Sequence, residues 1–95
     1  MDILDTMEKL TPAAIKLFKV MVRCRDNDTN EVRLKPSEME SPRLIQNHMP
    51  LLILNDVVIR LGNCHYMINP YLVVPNNFQS AKVMWVINRT ERTLA

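Results

Sequence analysis

The sequence predicts an α+β domain in which helices pack on a short β-hairpin, and three observations predict it. Residues 57–68 hold two β-rich runs broken by Gly62-Asn63, and Gly62 is the only glycine in the chain. Upstream, Thr11-Pro12 and Ser41-Pro42 each set a hydroxyl before a proline, a helix-start signal. Downstream, Asn77 precedes a segment whose apolar residues recur on neighbouring helical turns.

Taken in order, residues 1–10 place Ile3, Met7 and Leu10 at helical spacing, which predicts a short helix or an arm. From Thr11 a helix of about 14 residues is expected, with Ala14, Ile15, Phe18, Met21 and Val22 on its apolar face. Lys16, Lys19 and Arg23 line another face, as a solvated stripe or a basic surface. Residues 26–30 then stop the helix. Asp26, Asp28 and Asn30 alternate as in a calcium loop. However, the sharp-bend position is Glu31 rather than glycine and the twelfth is Ser37, so a polar turn without metal is expected.

Glu31-Val32-Arg33-Leu34-Lys35 alternates and predicts a short strand beside the hairpin. Residues 36–40 read as about one helical turn. Ser41-Pro42 opens a further helix carrying Leu44, Ile45, His48, Leu51, Leu52 and Leu54, with Arg43, Gln46 and Asn47 on its polar side. Pro50 lacks the amide a helix interior needs, so this helix is expected to kink near 46–49 or to break into 41–48 and 50–55.

For the hairpin, glycine first fits a type II′ turn at Gly62-Asn63. That register opposes Leu61 to Cys64, Arg60 to His65, Ile59 to Tyr66 and Val57 to Ile68. It makes one face apolar and leaves Arg60 and His65 together on a solvent face. Tyr71-Leu72-Val73-Val74-Pro75 reads as extended, and Asn77 as the cap of a last helix over 78–89 with a frayed tail.

Composition bounds the function. A chain of 95 residues, 47% apolar and 23% charged, suits one small globular domain. No apolar run approaches the roughly 20 residues of a membrane span, and Met1-Asp2 opens no basic-then-apolar leader. A cytoplasmic protein without membrane partners is therefore expected. Cys24 and Cys64 read as small apolar residues in a reducing compartment. There is no glycine-rich phosphate loop, no paired-histidine metal spacing and no Cys-His-Asp order, and His48 and His65 are isolated. No catalytic residue, metal or cofactor is expected.

The net charge of +2, from 12 basic and 10 acidic residues, announces no polyanion binder, but its distribution is uneven. Between Arg33 and Arg60 the only acids are Glu38, Glu40 and Asp56. Residues 1–10 set Asp2, Asp5 and Glu8 against Lys9 alone, so the acidic end is expected to face away from any polyanion.

Helix, short strand, helix, helix, hairpin and terminal helix is the order of a winged helix-turn-helix domain, with a three-helix core, a hairpin wing and a C-terminal helix. At Tyr66-Met67-Ile68-Asn69-Pro70 the chain resembles the winged-helix proteins of plasmid and phage replication, the RepL type among them. In those proteins a Tyr-x-Ile-Asn-Pro run closes the wing, and a Leu-rich helix leads into a Val/Ile-x-Arg strand, as Val58-Ile59-Arg60 does here. The similarity spans roughly residues 11–75, leaving 1–10 as an arm and 76–95 as a terminal helix and tail.

The resemblance implies a double-stranded DNA-binding regulator of replication or transcription. Its recognition helix would enter the major groove N-terminus first. Arg43 would then meet guanine, and Gln46 or Asn47 adenine. Lys35 and Ser37 would anchor phosphates, and Arg60 and His65, with Asn63 at the wing tip, would hold the backbone.

The competing expectation is a protein-binding adaptor on the same fold. Near-neutral charge and the Trp85 helix favour it. A basic face spanning Arg43 and Arg60 would discriminate for DNA, and an apolar patch at Trp85 without such a face for the adaptor. A homodimer is also expected on the last helix, through Phe78, Ala81, Met84, Trp85 and Asn88, with Val83 and Ile87 on an adjoining stripe. Alternatively, residues 1–10 fold back over that second stripe.

Overall fold

The structure, a computed structural model, describes residues 3–35 and 43–94. In chain order these form α1 (Ile3–Glu8), α2 (Pro12–Cys24), β1 (Glu31–Arg33), α3 (Arg43–Leu54), β2 (Val58–Gly62), β3 (His65–Ile68) and α4 (Phe78–Leu94). The helical turn read at 36–40, Ser37 and the Ser41-Pro42 cap lie outside the described residues. No helix among the described residues is long and apolar enough to cross a membrane.

The helix starting at Thr11 forms for the reason its sequence gives. The Thr11 hydroxyl accepts the Ala14 amide at 3.2 Å, and Pro12 occupies the first turn, where its missing amide costs nothing. Its buried face is Ala14, Leu17, Phe18 and Met21. Met49 and Leu52 of α3 join them in one core, into which Leu10 is also buried and Met7 of α1 partly so.

The sheet is antiparallel, in the order β1-β3-β2. β1 pairs with β3, as the alternation over 31–35 suggested. The hairpin register differs from the expected one. Arg60 pairs with Tyr66 and Gly62 with His65, a bulge falls between Arg60 and Gly62, and the two residues at the tip are Asn63-Cys64. Cys64 takes the left-handed backbone at φ 55°, not Gly62. The turn is set from outside the hairpin, because the Leu34 amide donates to the Cys64 carbonyl at 2.9 Å and β1 fixes β3 along its length. Consequently Arg60 and His65, neighbours of one opposed pair, point to opposite faces.

Both faces of the sheet are covered, which the one-sided pattern expected at the hairpin did not allow. Val32, Val58, Tyr66 and Ile68 face the α2–α3 core. Ile59 and Met67 face α4, where Ala81 and Trp85 close a second core. β3 is the central strand, and its consecutive buried Tyr66-Met67-Ile68 is how a strand buried on both faces reads.

Two buried asparagines tie the loops to this sheet. Asn30, fully buried at φ 65°, donates through Nδ2 to the carbonyls of Ile68 at 3.2 Å and Val73 at 2.6 Å, and accepts from Arg25 Nη1 at 2.9 Å. Asn69 donates to the Asp56 carbonyl at 2.8 Å and accepts the Tyr71 amide at 2.9 Å. The Asn69-Pro70 pair thus clamps the open end of the hairpin. Residues 70–72 form a turn there, with the Leu72 and Val73 amides both donating to the Asn69 carbonyl, where an extended run was expected.

The helix containing Pro50 neither breaks nor splits: α3 runs through it. Pro50 and Gln46 both lie on the exposed side of the helix. α4 continues past Arg89 to Leu94, beyond the expected end. Arg89 there reaches Asp56 at 2.8 Å, holding the second half of the helix to the α3–β2 turn.

Candidate nucleic-acid interface

The core sorts the residues of α3 onto two sides. Met49 and Leu52 are buried, and Leu44, Ile45, Leu51 and Ile53 pack against the same core. Arg43, Gln46, Asn47, Pro50 and Leu54 are exposed. Those positions are spaced three, one, three and four apart, which is a single stripe along the helix. Its first half is polar and rich in donors; its second half ends in apolar Pro50 and Leu54. Arg43, Gln46 and Asn47 are therefore gathered on one outward face.

Arg43 is the first described residue of α3 and is exposed.

A second cluster lies at the hairpin tip. Along β1 and the two residues after it, the buried Val32 and Leu34 alternate with Glu31, Arg33 and Lys35, and Arg33 and Lys35 are exposed. The Leu34–Cys64 hydrogen bond sets Lys35 next to the Asn63-Cys64 turn. Asn63 is exposed, as is Arg60, whose Nε donates to the Gly62 carbonyl at 3.3 Å. Lys35, Arg60 and Asn63 are thus brought to one end of the sheet. Arg33 pairs with His65 and therefore shares its face, opposite to Arg60.

His65 does not join that group. Its Nε2 lies 3.0 Å from Glu31 Oε1 across the β1–β3 pair, and the two line a mixed-charge cleft with Cys24, Arg25, Asp26 and Arg33. The Asp26 carboxylate is occupied locally, accepting the amides of Asp28 at 2.8 Å and Thr29 at 3.3 Å. Asp28 in turn accepts from Asn76 at 2.9 Å. Asp26 and Asp28 thus form a polar turn, as their sequence suggested.

On α4, Ala81 and Trp85 are buried in the chain's own second core, Phe78 and Asn88 are half-buried and Met84 is exposed. Phe78 stacks edge-on against Tyr71, with ring centres 5.6 Å apart. Of the stripe expected to meet a second copy, Ala81 and Trp85 are thus used internally. The exposed apolar residues of α4 are Val83, Met84, Val86 and Ile87. Compared with known proteins, the chain matches no family model, no curated protein and no solved structure.

Proposed function

We propose that this protein binds double-stranded DNA through a winged helix-turn-helix arrangement, as a replication or transcription regulator. In that reading α3 is the recognition helix and the β2–β3 hairpin is the wing. The observation that carries it is the outward stripe of Arg43, Gln46 and Asn47 on a helix whose other sides are packed in the core. A winged arrangement also calls for the strand after the first core helix to pair with the far strand of the hairpin, and the order β1-β3-β2 agrees with it.

In that reading Arg43 bonds guanine in the major groove, and Gln46 or Asn47 adenine. Lys35, Arg60 and Asn63 at the hairpin tip contact phosphate and set orientation without reading sequence. Two copies reading neighbouring half-sites about one DNA turn apart complete the reading.

Gel retardation on duplex DNA across a salt series tests it. Counterion release predicts a steep linear fall of log affinity with log salt, by about 0.9 per phosphate contacted. Arg60→Ala should weaken binding to every duplex alike and make the slope shallower by about one contact. No retardation at low salt would favour the adaptor reading instead. The apolar end of the α3 stripe, where Leu54 is 79% exposed, would then be the first surface to probe for a protein partner.

A further inference from the structure

We infer that the hollow between α4 and the start of β1 seats the side chain of a lysine carried by a partner protein. Its floor is apolar, made by buried Met67 and Ala81 with exposed Met84 at the wall, and one side opens to solvent. Two carboxylates stand at its rim, Asp28 and Glu31, and none of the residues lining it is basic. Pairing in the sheet places Glu31, which lies opposite Met67 and so shares the face turned to α4. The chain ahead of α4 places Asp28. The Asn77 amide donates to the Asp28 carbonyl at 3.0 Å, and Asn76 Nδ2 to Asp28 Oδ1 at 2.9 Å.

Size restricts the occupant to one short chain. The hollow holds about 80 Å³, whereas one water needs roughly 10–15 Å³ and a drug-sized ligand roughly 300–1,000 Å³. Charge then selects the end group. Asp28 Oδ1 is taken by Asn76 and Glu31 Oε1 by His65, and neither second oxygen has a partner among the described residues. The start of α4 supplies about half a positive charge. Even with His65 protonated, two carboxylates leave the rim negative.

A neutral apolar group would strip water from those oxygens and replace it with nothing, and an anion would be repelled. A metal ion lacks donors, since no three metal-binding side chains among the described residues converge. Lysine meets both demands, its four-carbon stem lying on the methionines and its ammonium between the carboxylates. A free amine of this size would be held weakly, whereas on a partner the same group adds to the contacts around it. The seat lies at the far end of β1 from the hairpin tip, so it rests on no DNA contact.

Methyl NMR on protein labelled at its methionine methyls tests the seat. Met67 and Met84 line it, while Met21 and Met49 lie in the other core. The probes are n-butylamine, n-butanol with the same number of heavy atoms, and end-blocked glycine pentapeptides with a central lysine or norleucine. Butylamine and the lysine peptide should shift the Met67 and Met84 methyls in the millimolar range and leave Met21 and Met49 in place. Butanol and the norleucine peptide should bind about 5-fold more weakly or worse. Asp28→Asn with Glu31→Gln should erase that preference and leave butanol binding unchanged.

Should the double variant fail to fold, added salt on the wild type decides. Between about 20 and about 500 mM salt the advantage of the amine should shrink, with butanol unaffected. No shift at Met67 and Met84, or equal binding of amine and alcohol, would overturn the seat. So would a preference that survives the loss of both carboxylates or, failing that variant, the added salt. Butylamine binding without the lysine peptide would overturn the partner's side chain as the occupant and leave a free-amine site.

Discussion

Replacing Asn30 tests the fold at the point where its long-range connections converge. The side chain is fully buried and makes three hydrogen bonds, two of them to carbonyls 38 and 43 residues away. Asn30→Ala takes the donor from the Ile68 and Val73 carbonyls, and a buried acceptor stripped of its partner costs about 1–3 kcal/mol. The residue also sits at φ 65°, which asparagine tolerates and alanine meets at about 1–2 kcal/mol. Together these give a loss of about 2–5 kcal/mol, a large share of the roughly 5–15 kcal/mol typical of a small domain.

Asn30→Gly separates the two parts. Glycine removes the left-handed penalty but loses about 0.5–1 kcal/mol through its freer unfolded chain, so it should be the milder change by about 0.5–1 kcal/mol. Asn30→Asp keeps an acceptor for Arg25 but aims a carboxylate at two carbonyls, and should be at least as damaging as alanine. Urea unfolding at 25 °C, with equal slopes confirming a common unfolded state, supplies the three differences. Wild-type stability in Asn30→Asp, or a loss below about 1 kcal/mol in Asn30→Ala, would refute the linking role.

Two further outcomes follow from the sheet. Trp85→Ala should cost about 3–5 kcal/mol in the same unfolding assay, because the ring fills the core between α4 and Ile59 and Met67; a loss under about 1 kcal/mol would contradict that packing. Cys64→Asn should stabilise by about 0.5–1 kcal/mol and Cys64→Val should destabilise, since Cys64 and not Gly62 holds the left-handed turn. Stabilisation by Cys64→Val would return the turn to Gly62.

Local chemistry made some of this legible from sequence and long-range pairing hid the rest. Thr11-Pro12 acts within its own turn, and its cap was readable. The alternation over 31–35 announced β1. Gly62 misled because hairpin turns favour glycine, yet here β1, through Leu34 and its pairing with β3, dictates the tip and moves the left-handed position to Cys64. That one-residue shift separates Arg60 from His65. At Pro50 the break offered as one alternative does not occur. The proline's cost falls on one backbone bond, and the packing of Met49 and Leu52 on either side of it keeps the helix whole. The role of Asn30 had no sequence signal, because its partners lie beyond any local pattern. At the candidate site the grouping of Arg43, Gln46 and Asn47 was legible as helical spacing. The pairing of His65 with Glu31 needed the β1–β3 register.

The central claim is that the outward stripe of α3 reads duplex DNA, and Arg43 is its most direct test. The measurement is fluorescence anisotropy of wild type and Arg43→Ala, on the duplex that wild type enriches from a random pool and on a scrambled duplex of equal length. The account predicts that Arg43→Ala loses about 1–3 kcal/mol on the enriched duplex and little on the scrambled one. Failure of any duplex to be enriched, or an undiminished preference for the enriched duplex in Arg43→Ala, would contradict it.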